Sequence, residues 1–219
     1  SQLYQIQQFI PTVSQKTLIS MLDKFRKVAT RSVTKTNETL IFGDQAAFGK
    51  TEIDEACFGK KRKNNKGTVW KKRWVFGIKG DGRKVFLTTV PDRKKATLIP
   101  YITKHISRNA TIHHDDWPSY RHLDRIGYKH QIVKHTDGFK SPDGTCTNGI
   151  EGVWGNVKQC FGRMHGIPNK KLDDYISEYS FRYMNKDRMI DARMIDFCYG
   201  CGVKLCILNC PLKCTHIDV

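Results

Sequence analysis

Three carboxylates in this 219-residue chain stand at spacings that suit metal-assisted chemistry. Asp54 lies in the middle of the apolar-rich stretch 50–58, Asp115 closes Thr111-Ile112-His113-His114-Asp115, and Glu151 opens Asn148-Gly149-Ile150-Glu151-Gly152-Val153-Trp154. Sixty residues lie between the first two and 35 between the second two. A carboxylate set among strand residues is costly unless it faces solvent, a partner or a cation. Three that converge also raise one another's pKa values. Two divalent cations answer both problems, because hard oxygen donors suit Mg²⁺ or Mn²⁺. Two such ions ~4 Å apart activate a water or a 3′-hydroxyl and stabilise the leaving oxygen of a phosphodiester. The alternative is three ordinary surface acids.

Cations and rings near these acids extend the pattern. Lys158 follows Glu151 by seven residues, close to two helical turns, so both project from one helix face ~10 Å apart. There it either holds a phosphate or is simply solvated. Trp154 reads as core packing rather than a base-stacking surface. His113 and His114 precede Asp115 and read as strand-end histidines, whereas His135 lies in a polar loop. The run Lys60-Lys61-Arg62-Lys63, with Lys71-Lys72-Arg73, flanks the connection after the first acid. It reads as a solvated loop, a nuclear-import cluster or a clamp on a polyanion's backbone.

Positioning such groups needs a mixed sheet. Period-two patterns predict strands over 50–58, 73–78, 84–90, 110–114 and 129–133, with Gly80-Asp81-Gly82 as a hairpin turn. Helical spacing marks 14–28, 94–106, 119–125, 148–163 and 171–188, and Ser14 is a candidate N-cap. The order β-β-β-α-β-α-β-loop-α predicts an α/β, ribonuclease-H-like mixed sheet flanked by helices. Residues 1–42 form a helical N-terminal segment, 43–190 the main domain and 191–219 a Cys-rich tail. The first helix is either part of a helix-turn-helix or a linker helix packed on the domain. Ser1 in place of Met suggests processing or a fragment.

The excess of 38 Lys+Arg over 21 Asp+Glu gives a formal charge of +17 on a chain that is 39% hydrophobic, too apolar for a disordered basic tail. That balance favours a polyanionic partner, nucleic acid foremost. No apolar run reaches the ~20 residues of a membrane span, and no secretory leader opens the chain. Scattered Cys57, Cys146 and Cys160 suggest a reducing compartment. Cys198, Cys201, Cys206 and Cys210 begin on a Cys-x2-Cys half-site and are candidate Zn²⁺ ligands. Their alternative is a Cys-rich terminus that packs on the domain or is disordered.

The blocks Glu52-Ile53-Asp54-Glu55-Ala56-Cys57-Phe58-Gly59-Lys60-Lys61, Arg73-Trp74-Val75-Phe76-Gly77 and Val90-Pro91-Asp92-Arg93 resemble the catalytic blocks of Merlin-type transposases. These are relatives of bacterial insertion-sequence transposases. Asp115-Asp116-Trp117-Pro118-Ser119-Tyr120 and Thr147-Asn148-Gly149-Ile150-Glu151-Gly152-Val153-Trp154 continue the resemblance in order, over roughly residues 40–188. It implies a ribonuclease-H-like DDE domain, two divalent metals and cut-and-paste transposition. Asp54, Asp115 and Glu151 match the three acids. Trp117 and Tyr120 fix the register of the second, leaving Asp116 as an extra carboxylate where glycine is usual. Cys146 stands where relatives often carry His. The implied partners are double-stranded DNA (terminal inverted repeats and target) and further copies of the chain, in a nucleus if eukaryotic and otherwise in cytoplasm. A decayed DNA-binding relative without catalysis, or a nuclease without strand transfer, would share much of this pattern.

Overall fold

A computed structural model describes residues 8, 11–44, 50–59, 72–133, 147–164 and 167–186. Residues 1–184 form one compact unit. Of the second unit, which begins at Asn185, only 185 and 186 are among the described residues.

The sheet has five strands: β1 (Lys50–Phe58), β2 (Arg73–Lys79), β3 (Val85–Val90), β4 (Thr111–Asp115) and β5 (Lys129–Val133). Their spatial order is β3-β2-β1-β4-β5. The first three meander antiparallel, and β4 and β5 run parallel to β1. Gly82 closes the β2–β3 hairpin at φ 59°, in the left-handed region that a side chain disfavours. The helices are α1 (Gln15–Thr39), α2 (Lys95–His105), α3 (Asn148–Arg163) and α4 (Leu172–Met184). This is the α/β, ribonuclease-H-like architecture expected from the element order.

Alternation along the strands builds two cores. Ile53, Phe76, Ile78, Phe86 and Ile112 pack on one face with Leu98 and Ile102 of α2. Ala56, Val75, Val85 and Leu87 pack on the other, against α3 and α4. The α3 stripe Ile150, Val153, Trp154, Val157 and Phe161 recurs at helical spacing and is buried throughout. A Cβ added at Gly152, Gly155 or Gly162 of the same helix would meet nothing within 4 Å. Each glycine costs a helix about 1 kcal/mol relative to Ala. Packing of the apolar stripe, worth ~1.5–3 kcal/mol per large side chain, therefore decides the structure.

Two elements differ from their sequence expectations. The first helix runs to Thr39 rather than stopping near 28. Its second half is rich in Thr and Ser, which are weak helix formers, but Ala29 and Val33 are buried there. Thr30 and Thr36 also donate their hydroxyls to the carbonyls four residues back, each at 3.0 Å. The stretch 119–125 forms no α-helix; 3₁₀ turns span Pro118–Tyr120 and Asp124–Ile126. Gly127, at φ 83°, ends the second turn.

Helix α1 lies against α4. Arg26 is buried, stacks 3.8 Å over the Tyr175 ring and donates Nε to Glu178 Oε2 at 2.9 Å. Phe25 meets Phe181 edge-on, at 6.2 Å between centroids. Hydrogen bonds to charged partners contribute about 1.5–3 kcal/mol each. Replacing Arg26 by Ala is expected to destabilise the fold by about 2 kcal/mol in urea unfolding. Lys27→Ala, on the exposed side, is expected to stay within ~0.5 kcal/mol. Equal effects would contradict the packing role.

Candidate active site

Strand pairing brings the first two acids together. β1 and β4 are in register through Glu52↔His113. Counting on two residues sets Asp54 level with Asp115, on the sheet face that α3 covers. Asp54 accepts hydrogen bonds from the Glu55 backbone N–H at 2.7 Å and from Trp154 Nε1 at 3.1 Å. Asp115 Oδ1 accepts from the Trp117 N–H at 3.2 Å. Burial pushes the Asp54 pKa up to about 6, the negative charge of Asp115 adds to the rise, and the two hydrogen bonds oppose it.

Gly77 makes this arrangement possible. It pairs with Asp54 across β1–β2, and a Cβ there would sit 2.6 Å from the Trp154 ring and 2.9 Å from Ile150. The missing side chain lets α3 settle on the sheet, and the indole then reaches Asp54.

Arg93 is the cation of the site. Its guanidinium lies 2.7 Å from Glu55 Oε2 and 4.0 Å from Asp115 Oδ2. Trp117 stacks on it at 3.6 Å and Trp74 at 4.7 Å. The Trp117 indole and the Ser119 hydroxyl donate to the Arg93 carbonyl at 3.0 and 2.7 Å, fixing the turn that carries it. The Glu55 carboxylate is 0% exposed, and its Oε1 has no hydrogen-bond partner among the described residues. Burial pushes Glu55 up to about 7 even though Arg93 pulls the other way.

Glu151 sits in the first turn of α3. Its Oε1 accepts from the Thr147 hydroxyl at 2.8 Å, and its N–H donates to the Thr147 carbonyl at 3.0 Å. Glu52 ties that turn to β1: its Oε2 accepts from the Ile150 N–H at 2.7 Å and its Oε1 lies 3.2 Å from Lys50 Nζ. A carboxylate at a helix N-terminus satisfies a free N–H and opposes the helix dipole. Gly149 gives Glu52 its place, because a Cβ would come within 2.7 Å of Oε2. Glu52 thus ties the strand of Asp54 to the helix of Glu151.

Of the three expected acids, two converge and the third stands on the adjoining helix turn. Among the described residues no group of three or more His, Cys, Asp or Glu side chains stands close enough to hold a metal ion. The donor set nonetheless fits a hard divalent cation. Asp54 and Asp115 are neighbouring carboxylates, and both offer the hard oxygen donors that such an ion takes.

Other expected residues are placed as follows. Lys158 is exposed on α3, and Lys72 is exposed just before β2. Arg73 is engaged within the protein: it donates to the Asn169 carbonyl at 2.6 Å and to Thr89 at 3.1 Å, and pairs with Asp173 at 3.2 Å. Asp116 points to Arg121 at 3.3 Å. His114 is buried, and its Nε2 lies 2.9 Å from His130 Nδ1. Lys60, Lys61, Arg62, Lys63, Lys71, His135, Cys146 and the tail cysteines Cys198, Cys201, Cys206 and Cys210 lie outside the described residues.

Sequence reasoning gave no role to Glu52, Glu55 or Arg93. The signal was present: Glu52, Asp54 and Glu55 crowd a strand buried on both faces, and each buried acid needs its own partner.

The model of the ISXO2-like transposase domain matches residues 44–184, which include all three acids, Arg93 and Lys158. The chain belongs to that family. The transposase domain is also 28% identical over 104 residues to an uncharacterised transposase-like protein of Haemophilus influenzae, covering 48% of this chain and 84% of that one. Two solved structures overlap it weakly. One is a simian T-cell lymphotropic virus intasome in complex with PP2A regulatory subunit B56 gamma (14% identity, TM-score 0.39, 61% of this chain and 47% of that one). The other is a pre-cleavage Mos1 transpososome (8% identity, TM-score 0.35, 85% of this chain and 71% of that one).

Two outcomes test the site's electrostatics. Asp54 and Glu55 bind protons more tightly when folded, so the folded state gains from protonation. Without divalent metal, stability is expected to fall as pH rises from about 4 through about 6 and 7, the folded values of Asp54 and Glu55. Asp54→Asn should flatten the profile of the urea midpoint against pH, and an unchanged profile would contradict the assignment. Gly149→Ala should displace Glu52 and lower the urea midpoint by more than Gly155→Ala, whose Cβ would meet open space.

Proposed function

We propose that the transposase domain is the catalytic part of a Merlin-type DDE transposase. It cleaves DNA at transposon ends and joins the freed 3′-hydroxyl to target DNA. The observation that carries this reading is Asp54 beside Asp115 on adjacent parallel strands, with Glu151 on a helix tied by Glu52 to the same strand. Family membership supports it.

In this reading Asp54, Asp115 and Glu151 hold two divalent ions, Mg²⁺ or Mn²⁺, with Glu151 leaving Thr147 to do so. When bound, these ions supply a lowered pKa for the attacking hydroxyl and charge stabilisation for the leaving oxygen. The protein's own contribution is positioning. Trp154 orients the Asp54 carboxylate, the Trp117 N–H orients Asp115, and Arg93 holds the Asp115 side of the pocket. Lys158 and Lys72 contact phosphates, and the run Lys60 to Lys63 with Lys71 clamps the backbone of double-stranded DNA. Terminal inverted repeats and target DNA are the substrates, bound by more than one copy of the chain.

Asp54→Asn and Glu151→Gln are each expected to lower Mn²⁺-dependent cleavage of terminal-repeat DNA by at least ~100-fold while the protein stays folded. A second reading, a decayed transposase that binds DNA without cutting it, is favoured by one observation: Glu151 is turned to Thr147. Cleavage by the wild-type chain excludes that second reading. Cleavage that persists in both variants overturns the first.

A further inference from the structure

The site above uses none of the charge on α1. Lys16, Lys24, Lys27, Arg31 and Lys35 are all exposed, at spacings of eight, three, four and four residues. At 3.6 residues per turn they fall within an arc of about 100°. Leu18, Arg26, Ala29 and Val33 occupy the opposite side and are buried. The packing of Arg26 and Phe25 on α4 fixes which side faces out. The cations therefore form one straight stripe about 28 Å long.

This stripe differs from an ordinary solvated helix face. Such faces interleave both signs, so that residues three or four apart attract. Here Lys24 and Lys27, Lys27 and Arg31, and Arg31 and Lys35 are like-charged neighbours at those spacings. Asp23, at the edge of the stripe, is engaged by Arg26 and Lys171. Glu38 follows Lys35 by three residues, so opposite charge adjoins the stripe on its own face only at the C-terminal end. Among the described residues none of the five cations has a carboxylate partner within 4 Å. The row repels itself from Lys24 to Lys35, and a polyanion laid along it relieves that. Duplex DNA does so over about eight base-pair steps of ~3.4 Å.

We propose that the exposed face of α1 is a DNA-backbone track, separate from the strands and helix that carry the acids. It deepens the DNA-binding part of the function proposed above. The groups on this face are long flexible cations suited to phosphate oxygens. The track therefore contributes affinity and orientation without sequence preference.

The test uses the full chain, without divalent metal, and a 30-base-pair duplex titrated between 50 and 200 mM salt. In the triple variant Lys24→Gln/Lys27→Gln/Arg31→Gln, the slope of log K against log[salt] should shrink by about 2.7, at ~0.9 per lost phosphate contact. An equal charge change elsewhere, Lys95→Gln/Lys104→Gln/Lys129→Gln, should move it by less than one contact's worth. Circular dichroism and the urea midpoint should match wild type in both. An unchanged slope in the α1 variant overturns the track, as does an equal fall in both variants. Tighter wild-type binding to single-stranded RNA or to phosphatidylserine vesicles than to the duplex overturns DNA as the partner. A wild-type chain that binds no duplex overturns the track together with the function proposed above. Cleavage is not read, so loss of catalysis leaves this result intact.

Discussion

The central strand of the sheet carries negative charge into the interior, and much of the domain is arranged around that cost. Glu52, Asp54 and Glu55 fall within four positions of β1, a strand with a core on each face. Burying a carboxylate without compensation is prohibitive, so each has its own solution. Glu52 takes a helix N–H, Glu55 takes Arg93, and Asp54 takes an indole N–H and a backbone N–H. Glu52 thus meets a helix dipole and Glu55 a cation, whereas the two donors on Asp54 are neutral. Burial raises the Asp54 pKa and the negative charge of Asp115 adds to the rise, so a divalent cation beside the two would favour their charged forms.

Each supporting feature follows from holding those acids in place. Gly77 is small so that Trp154 can approach Asp54, and Gly149 is small so that Glu52 can reach Ile150. Arg93 is wedged between Trp74 and Trp117, and its carbonyl is held by Trp117 and Ser119. Packing thereby converts a flexible cation into a fixed one, close to Glu55 and facing Asp115. The same logic explains why α3 tolerates four glycines. Its position comes from the buried stripe and from Glu52, not from helix propensity.

Much of this was legible in the sequence for physical reasons. Strand alternation and the Gly-Asp-Gly turn marked β1, β2 and β3, and the acids fell on predicted elements because a strand centre, a strand end and a helix start are local features. Partner choice was not legible. Arg73 read as one more cation beside a basic loop, yet its guanidinium is committed to Asn169, Thr89 and Asp173, about a hundred residues away for two of the three. Arg93 read as part of a motif, and only the fold sets it against Glu55 and Asp115. The length of α1 was missed because tertiary burial of Ala29 and Val33 overrides the weak propensity of the Thr and Ser between them. Where Asp54 sits relative to Glu151 depends on a contact spanning 98 residues, between Glu52 and Ile150.

In the proposed reaction the Asp54 carboxylate of β1 takes its countercharge from a divalent cation. Calorimetric titration with Mn²⁺ in buffers of different ionisation enthalpy tests it most directly. Mn²⁺ uptake is expected to release protons at pH 6, where Asp54 and Glu55 are partly protonated, with the release fading by pH 8. Asp54→Asn should remove both the uptake and the release. Absence of Mn²⁺ uptake by the wild-type chain, or the same heat and proton count in the Asp54→Asn variant, would contradict it.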